Sequence, residues 1–273
     1  MTLWLSNLLR RIRGLPRRAS EAEWAALIEE NERIIPRTTT AEDWPSVMEA
    51  VIASVGSRAA LIAKPACLGV AVERPFEVAL AAALNGELSW DLRARTGGGH
   101  GLTDFPALGP YDVSVADGRP DDTHAAILEF KKWGAPGINS APPRKRHETL
   151  WDVLKVGCSV ARERSDRGYL VTLAPRTAWK QPHEFAALFD GVEWDTLEVC
   201  ARHPEAMAFF KAGWRLPMVP ARVRSVPAGT EAAVDACDGS DWLLRAVAIE
   251  PRGPLVQLVL PGAPAAGIGP PPA

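Results

Sequence analysis

The sequence lacks any long apolar run. Nowhere do about 18 apolar residues follow one another, the length a membrane-crossing helix needs, so no membrane span is expected. Cysteine is scarce: Cys67, Cys158, Cys200 and Cys237 lie far apart with no C-x-x-C, which gives no zinc site and fits reduced thiols in a cytoplasmic protein. Five histidines (His100, His124, His147, His183, His203) show no metal-ligand spacing. An excess of either charge is missing too. With 31 Lys+Arg against 33 Asp+Glu the net charge is −2, which argues against a broad basic coat and allows only a local basic groove. The order of a secretory signal is absent, because the apolar stretch Leu3–Leu9 precedes Arg10, Arg11 and Arg13 instead of following them. There is no G-x-S-x-G elbow, so the glycines around His100 read as a flexible loop and not as part of a hydrolase oxyanion hole.

What is present is enough apolar residue, 47% against 23% charged, to offset ordering entropy over most of the chain. Residues 1–72 read as a helical extension. Ser20 and Glu23 form a capping box for a helix to Ile35, and a second helix starts near Asp43, tolerates Pro45 in its first turn and runs through Val55. Pro75–Leu84 reads as a helix ending at Asn85-Gly86, and Leu88 to Arg95 alternates with the period of a strand. Tyr111–Ala116 and Ala125–Trp133 read as two strands whose connection opens with Asp117-Gly118. His147–Arg164 is an amphipathic helix, and Tyr169–Leu173 a strand stopped by Pro175. Residues 181–260 read as a smaller α+β region, with helices at His183–Phe189 and Trp194–Ala212 and strands at Ala221–Val226 and Trp242–Ile249; residues 261–273 are a Pro/Gly/Ala tail. The class is α/β, with the central unit over residues 73–180.

The chemistry concentrates in two strands. Residues i and i+2 share a face, so Glu129 and Lys131 point one way while Leu128 and Phe130 point the other. If the connection is symmetric about Pro120 and Asp121, Asp112 lies opposite Glu129 with side chains ~5 Å apart. Two carboxylates that close repel unless a cation compensates. Lys131 supplies one charge, and hard oxygen donors suit Mg²⁺ or Mn²⁺, with the Phe130 carbonyl as a further ligand. Lys131 would orient or deprotonate a metal-bound water, which has the parts of a phosphodiesterase. Blander readings stand beside these: a surface ion pair for Glu129 and Lys131, a turn cap for Asp112.

The order helix, strand, strand, strand, helix, strand, with Asp112 on the second strand and Glu129-Phe130-Lys131 on the third, resembles the PD-(D/E)XK nuclease superfamily over about 100 of the 273 residues. The first motif stands here as Pro110-Tyr111-Asp112. The resemblance implies a restriction-endonuclease-like αβββαβ core with a mixed sheet, and a Mg²⁺-dependent nuclease acting on nucleic acid, DNA being the expected form. It implies Glu77 on the first core helix as a supporting acid, and a polar or basic contribution from Asp152 or Lys155 on the second. Glu77 in a helix first turn also favours the macrodipole, and Lys155 also reads as a snorkelling lysine. Arg144 and Arg146, with Arg162, Arg164 and Arg167, would line a phosphate track or solvate a helix face. Against the nuclease stands a second reading, a catalytically inactive module of the same fold that binds or scaffolds. Oligomeric state is open, a homodimer included.

Overall fold

Helix α1, Trp44–Cys67, begins where Asp43 and Pro45 predict and runs past Val55. Its side chains at Val47, Met48, Val51, Ile52, Val55 and Ala59 form one buried stripe at helical spacing. The computed structural model describes residues 43–67, 73–89, 91–97, 111–116, 123–133, 143–176, 191–203, 218–235 and 241–258. The expectations for the Ser20–Ile35 and His183–Phe189 helices, the Asp117-Gly118 turn, His100 and the 261–273 tail lie outside the described residues. No described helix is long and apolar enough to cross a membrane.

Helix α2 spans Glu73–Glu87 and buries Phe76, Leu80 and Leu84. It does not stop at Asn85-Gly86. Asn85 serves instead as a clamp on the sheet edge, where its amide donates to the Ala94 carbonyl at 3.0 Å and accepts the Ala94 N–H at 2.8 Å. A side-chain amide thereby does for strand β1 (Arg93–Thr96) what a neighbouring strand would do, covering backbone groups that would otherwise lack partners. β1 begins at Arg93, level with Ala116 at the end of β2, so it is shorter than the alternation from Leu88 predicts.

Strands β2 (Val113–Ala116) and β3 (Ala126–Lys132), helix α3 (Pro143–Ala161) and strand β4 (Gly168–Pro175) follow. β1 and β2 are antiparallel, as are β2 and β3, while β3 and β4 run parallel across the α3 crossover. The remaining elements are β5 (Glu193–Asp195), α4 (Thr196–Arg202), β6 (Met218–Pro227), β7 (Ala232–Asp235) and the 17-residue β8 (Asp241–Gln257). The Trp194–Ala212 helix is thus divided into a short strand and a short helix over its described part, α4 starting on an Asp195 carboxylate that accepts the Glu198 N–H.

All eight strands join one mixed sheet, in the order β1-β2-β3-β4-β8-β6-β5, with β7 on the flank of β8. The C-terminal region therefore extends the same sheet, β8 pairing along β4 from Trp242 to Ala248. Helices α1 and α2 cover one face through Val113, Val115, Leu128, Phe130, Val171 and Leu244. Helices α3 and α4 cover the other through Ile127, Trp133, Leu150, Leu154, Leu170 and Val247. Every position of β4 is buried, as a strand covered on both faces and paired on both edges requires. Phe76 of α2 stacks on Phe130 of β3 with centroids 5.1 Å apart, which fixes the start of α2 against the end of β3.

Candidate functional site

The β2–β3 register is Val113↔Leu128, Ser114↔Ile127, Val115↔Ala126. That register is the one the symmetric connection predicts, and it ends at Val113, one residue short of the expected Asp112–Glu129 pair. Asp112 itself stands at a bend just before β2. There its carboxylate Oδ2 accepts the Phe130 N–H at 2.8 Å, and its backbone carbonyl accepts the N–H of Gly97, just past β1, at 3.0 Å. Asp112 is tied to strands on both sides.

Glu129 and Lys131 share the β3 face that looks toward α3. The helix answers with two residues of its own. Lys155 Nζ lies 2.5 Å from Glu129 Oε1, with side chains 4% and 3% exposed, and Lys131 Nζ lies 3.0 Å from Asp152 Oδ2, both side chains 13% exposed. The match has a geometric reason. A crossover helix runs antiparallel to its strands, so the order acid, base along β3 meets the order base, acid in the same direction along α3. Two strand residues span ~6.6 Å and three helical residues ~4.5 Å, close enough for long side chains to close both pairs. Lys155 also sits over the Tyr111 ring, 5.2 Å from its centroid, and the Tyr111 hydroxyl meets Ser159 Oγ at 2.6 Å.

Glu77 joins this end of the sheet from α2. Arg74 Nη1 contacts its carboxylate at 2.7 Å; burial raises the Glu77 pKa, Arg74 opposes the rise, and the Asp112 charge adds to it. Of the residues expected in the site, Asp112, Glu129, Lys131 and Glu77 are therefore within electrostatic reach of at least one other member. Lys155 is inside the protein and bound to Glu129, away from the substrate track expected for it. Arg144 and Arg146 fall in the first turn of α3, and their side chains lie outside the described residues. The pairings of Asp152 and Lys155 are what sequence reasoning missed. The signal was present as D-x-x-K on α3 set against E-x-K on β3.

Burial dominates the electrostatics. It raises the Glu129 carboxyl well above the usual range; Lys155 opposes it, while Asp152 and Asp112 push the same way. Burial likewise lifts Asp152 to about 6 against the pull of Lys131 and Lys155. For Lys131 burial acts downward, but Asp152, Glu73 and Asp112 together reverse it, so its pKa rises. Beside Asp152, Lys131 is favoured in its protonated form, the form that orients a water or offsets charge. A pH dependence follows. Because Asp152 binds its proton more tightly folded than unfolded, its contribution to stability is complete below about pH 4 and is lost as pH rises through about 6. The urea midpoint should fall between about pH 4.5 and 7, and Asp152→Asn should flatten that fall; equal slopes in both proteins would contradict the assignment.

Among the described residues, no three His, Cys, Asp or Glu side chains come together in a way that could hold a metal ion. Asp112 and Glu129 are nonetheless hard oxygen donors within electrostatic reach of each other, and Mg²⁺ is commonly held by one or two carboxylates, its other positions going to water and substrate phosphate. The donor set fits an ion of that kind and not a closed protein cage. Comparison with family models, with curated proteins and with solved structures finds no match to this chain.

Proposed function

We propose that the chain is a metal-dependent nuclease of the PD-(D/E)XK type, hydrolysing phosphodiester bonds of nucleic acid, DNA foremost. The observation that carries the reading is the Asp112 carboxylate accepting the Phe130 N–H, between Glu129 and Lys131, which share one face of β3. The order α2-β1-β2-β3-α3-β4, with β3 and β4 parallel, supports it. Asp112 and Glu129 would hold Mg²⁺ or Mn²⁺, with the Phe130 carbonyl beside them. Such an ion, when bound, polarises a phosphate oxygen and lowers the pKa of a coordinated water. Asp152 holds Lys131 as an ammonium, which donates hydrogen bonds to the attacking water and to the phosphate oxygen as charge grows there. Glu77 supports from α2 as an acid steadied by Arg74.

The test is nicking of supercoiled plasmid in Mg²⁺ or Mn²⁺. Wild type should cleave and EDTA should stop it, while Asp112→Asn should lose at least about 100-fold. The second reading, an inactive module that binds nucleic acid or a scaffold partner, is favoured by the Lys155–Glu129 pair, which already neutralises one proposed ligand. No cleavage by wild type, with no Mn²⁺ uptake by calorimetry and a normal unfolding transition, would decide for the module.

A further inference from the structure

We propose that Lys155 is the resident cation of the site: in the metal-free protein its ammonium occupies the electrostatic role at Glu129 that a divalent ion takes over on binding. The inference rests on the nuclease reading for the identity of the ligands. It explains a pair that stability alone does not. A lysine is almost never fully buried unless paired, and a buried ion pair is often no more stabilising than apolar residues of the same size. Here a lysine 4% exposed and a glutamate 3% exposed are in contact at 2.5 Å, next to Phe130, whose N–H the Asp112 carboxylate accepts.

The ammonium is also cradled. It sits over the Tyr111 ring. Tyr111 in turn meets Ser159, whose hydroxyl donates to the Lys155 carbonyl at 2.8 Å. Tyr111 directly precedes Asp112, so the cradle and the second proposed ligand belong to one stretch of chain. Lys155 therefore acts as a positioning residue. It keeps the Glu129 carboxylate in place and compensated while no ion is bound, and it makes any ion compete for that carboxylate. Weak metal uptake by the free protein, strengthened when substrate phosphate completes the coordination, follows from the same competition.

The experiment measures Mn²⁺ binding by calorimetry and unfolding by thermal melts, without reference to cleavage. Three full-length proteins are compared: wild type, Lys155→Met, and the apolar double variant Glu129→Leu/Lys155→Met. Removing the lysine alone strands the glutamate and should lower the melting temperature by roughly 10 °C without metal. Millimolar Mn²⁺ should restore most of that loss, and Lys155→Met should bind Mn²⁺ about tenfold tighter than wild type, a gain of ~1.4 kcal/mol. The double variant should melt near wild type and ignore Mn²⁺. If Lys155→Met stays unfolded in Mn²⁺, or binds it no tighter than wild type, the proposal is overturned, and plasmid cleavage by wild type would then leave the nuclease reading standing. Metal rescue of Lys155→Met in a protein whose wild type never cleaves would keep the proposal and remove the nuclease.

Discussion

Replacing Lys131 with methionine should reduce plasmid cleavage at least about 100-fold, with the loss in kcat and KM little changed. The reason lies in what Asp152 does to the lysine. An ammonium 3.0 Å from the Asp152 carboxylate is favoured in its charged form, so its value to the reaction is its positive charge and its hydrogen bonds at a fixed point. Those interactions strengthen as charge gathers on phosphate, and a charge-free side chain supplies none of them. The variant should still fold. Asp152, already raised to about 6, can take up a proton when its partner is gone, which limits the cost of stranding it. Lys131→Arg should recover little, since a planar guanidinium cannot place a point charge where the ammonium sat. Circular dichroism and melting temperature establish that each variant is folded. Activity in Lys131→Met within about twofold of wild type, far short of the loss expected for a charge acting on the transition state, would make Lys131 only the structural partner of Asp152.

Gly229→Ala should cost about 2–5 kcal/mol, the sum of strain in a left-handed backbone and of overpacking. Gly229 has φ +81, and a Cβ there would stand 2.8 Å from Glu49 Cα and 3.0 Å from Glu49 N in helix α1. Those are backbone atoms of a packed helix, so nothing nearby can swing aside. Thr230 next to it hydrogen-bonds Glu49 through Oγ1 at 3.0 Å, so displacing the turn breaks this contact as well. A control is at hand in Gly86 of α2, where a Cβ would meet nothing within 4 Å. Gly86→Ala should gain about 0.5–1 kcal/mol by removing the entropy cost of glycine in a helix. Equilibrium urea unfolding of both variants measures the two opposite signs, and a Gly229→Ala midpoint equal to wild type would show that α1 does not press on this turn.

The parts of the fold that were legible in the sequence are those set by local periodicity. β3 reads apolar on one face and mixed on the other because both faces are covered, and its register with β2 followed from the symmetry of the connection alone. The β1 start was not legible. Alternation from Leu88 signals a strand, but β1 begins at Arg93, paired with Ala116 at the end of β2, a contact between residues far apart in sequence. The C-terminal strands show the same limit. Their existence was readable from Ala221–Val226 and Trp242–Ile249, but that β8 would pair with β4 depends on contacts between residues far apart in sequence. In the site, Glu129 and Lys131 could be placed on one face by counting. The partners of Glu129 and Lys131 could not, because strand and helix spacings had to be matched across the crossover.

Strand β8 carries a practical corollary for anyone wishing to excise the Asp112–Lys131 region as a minimal fragment. A chain cut after Pro175 would strip β4 of the ladder that runs from Trp242 to Ala248. That would bare a strand rich in apolar residues along one border, a template for stacking one molecule onto the next. The smallest well-behaved piece able to display these residues must therefore extend through β8, to about Leu258, although every residue proposed for the chemistry lies ahead of Ala161.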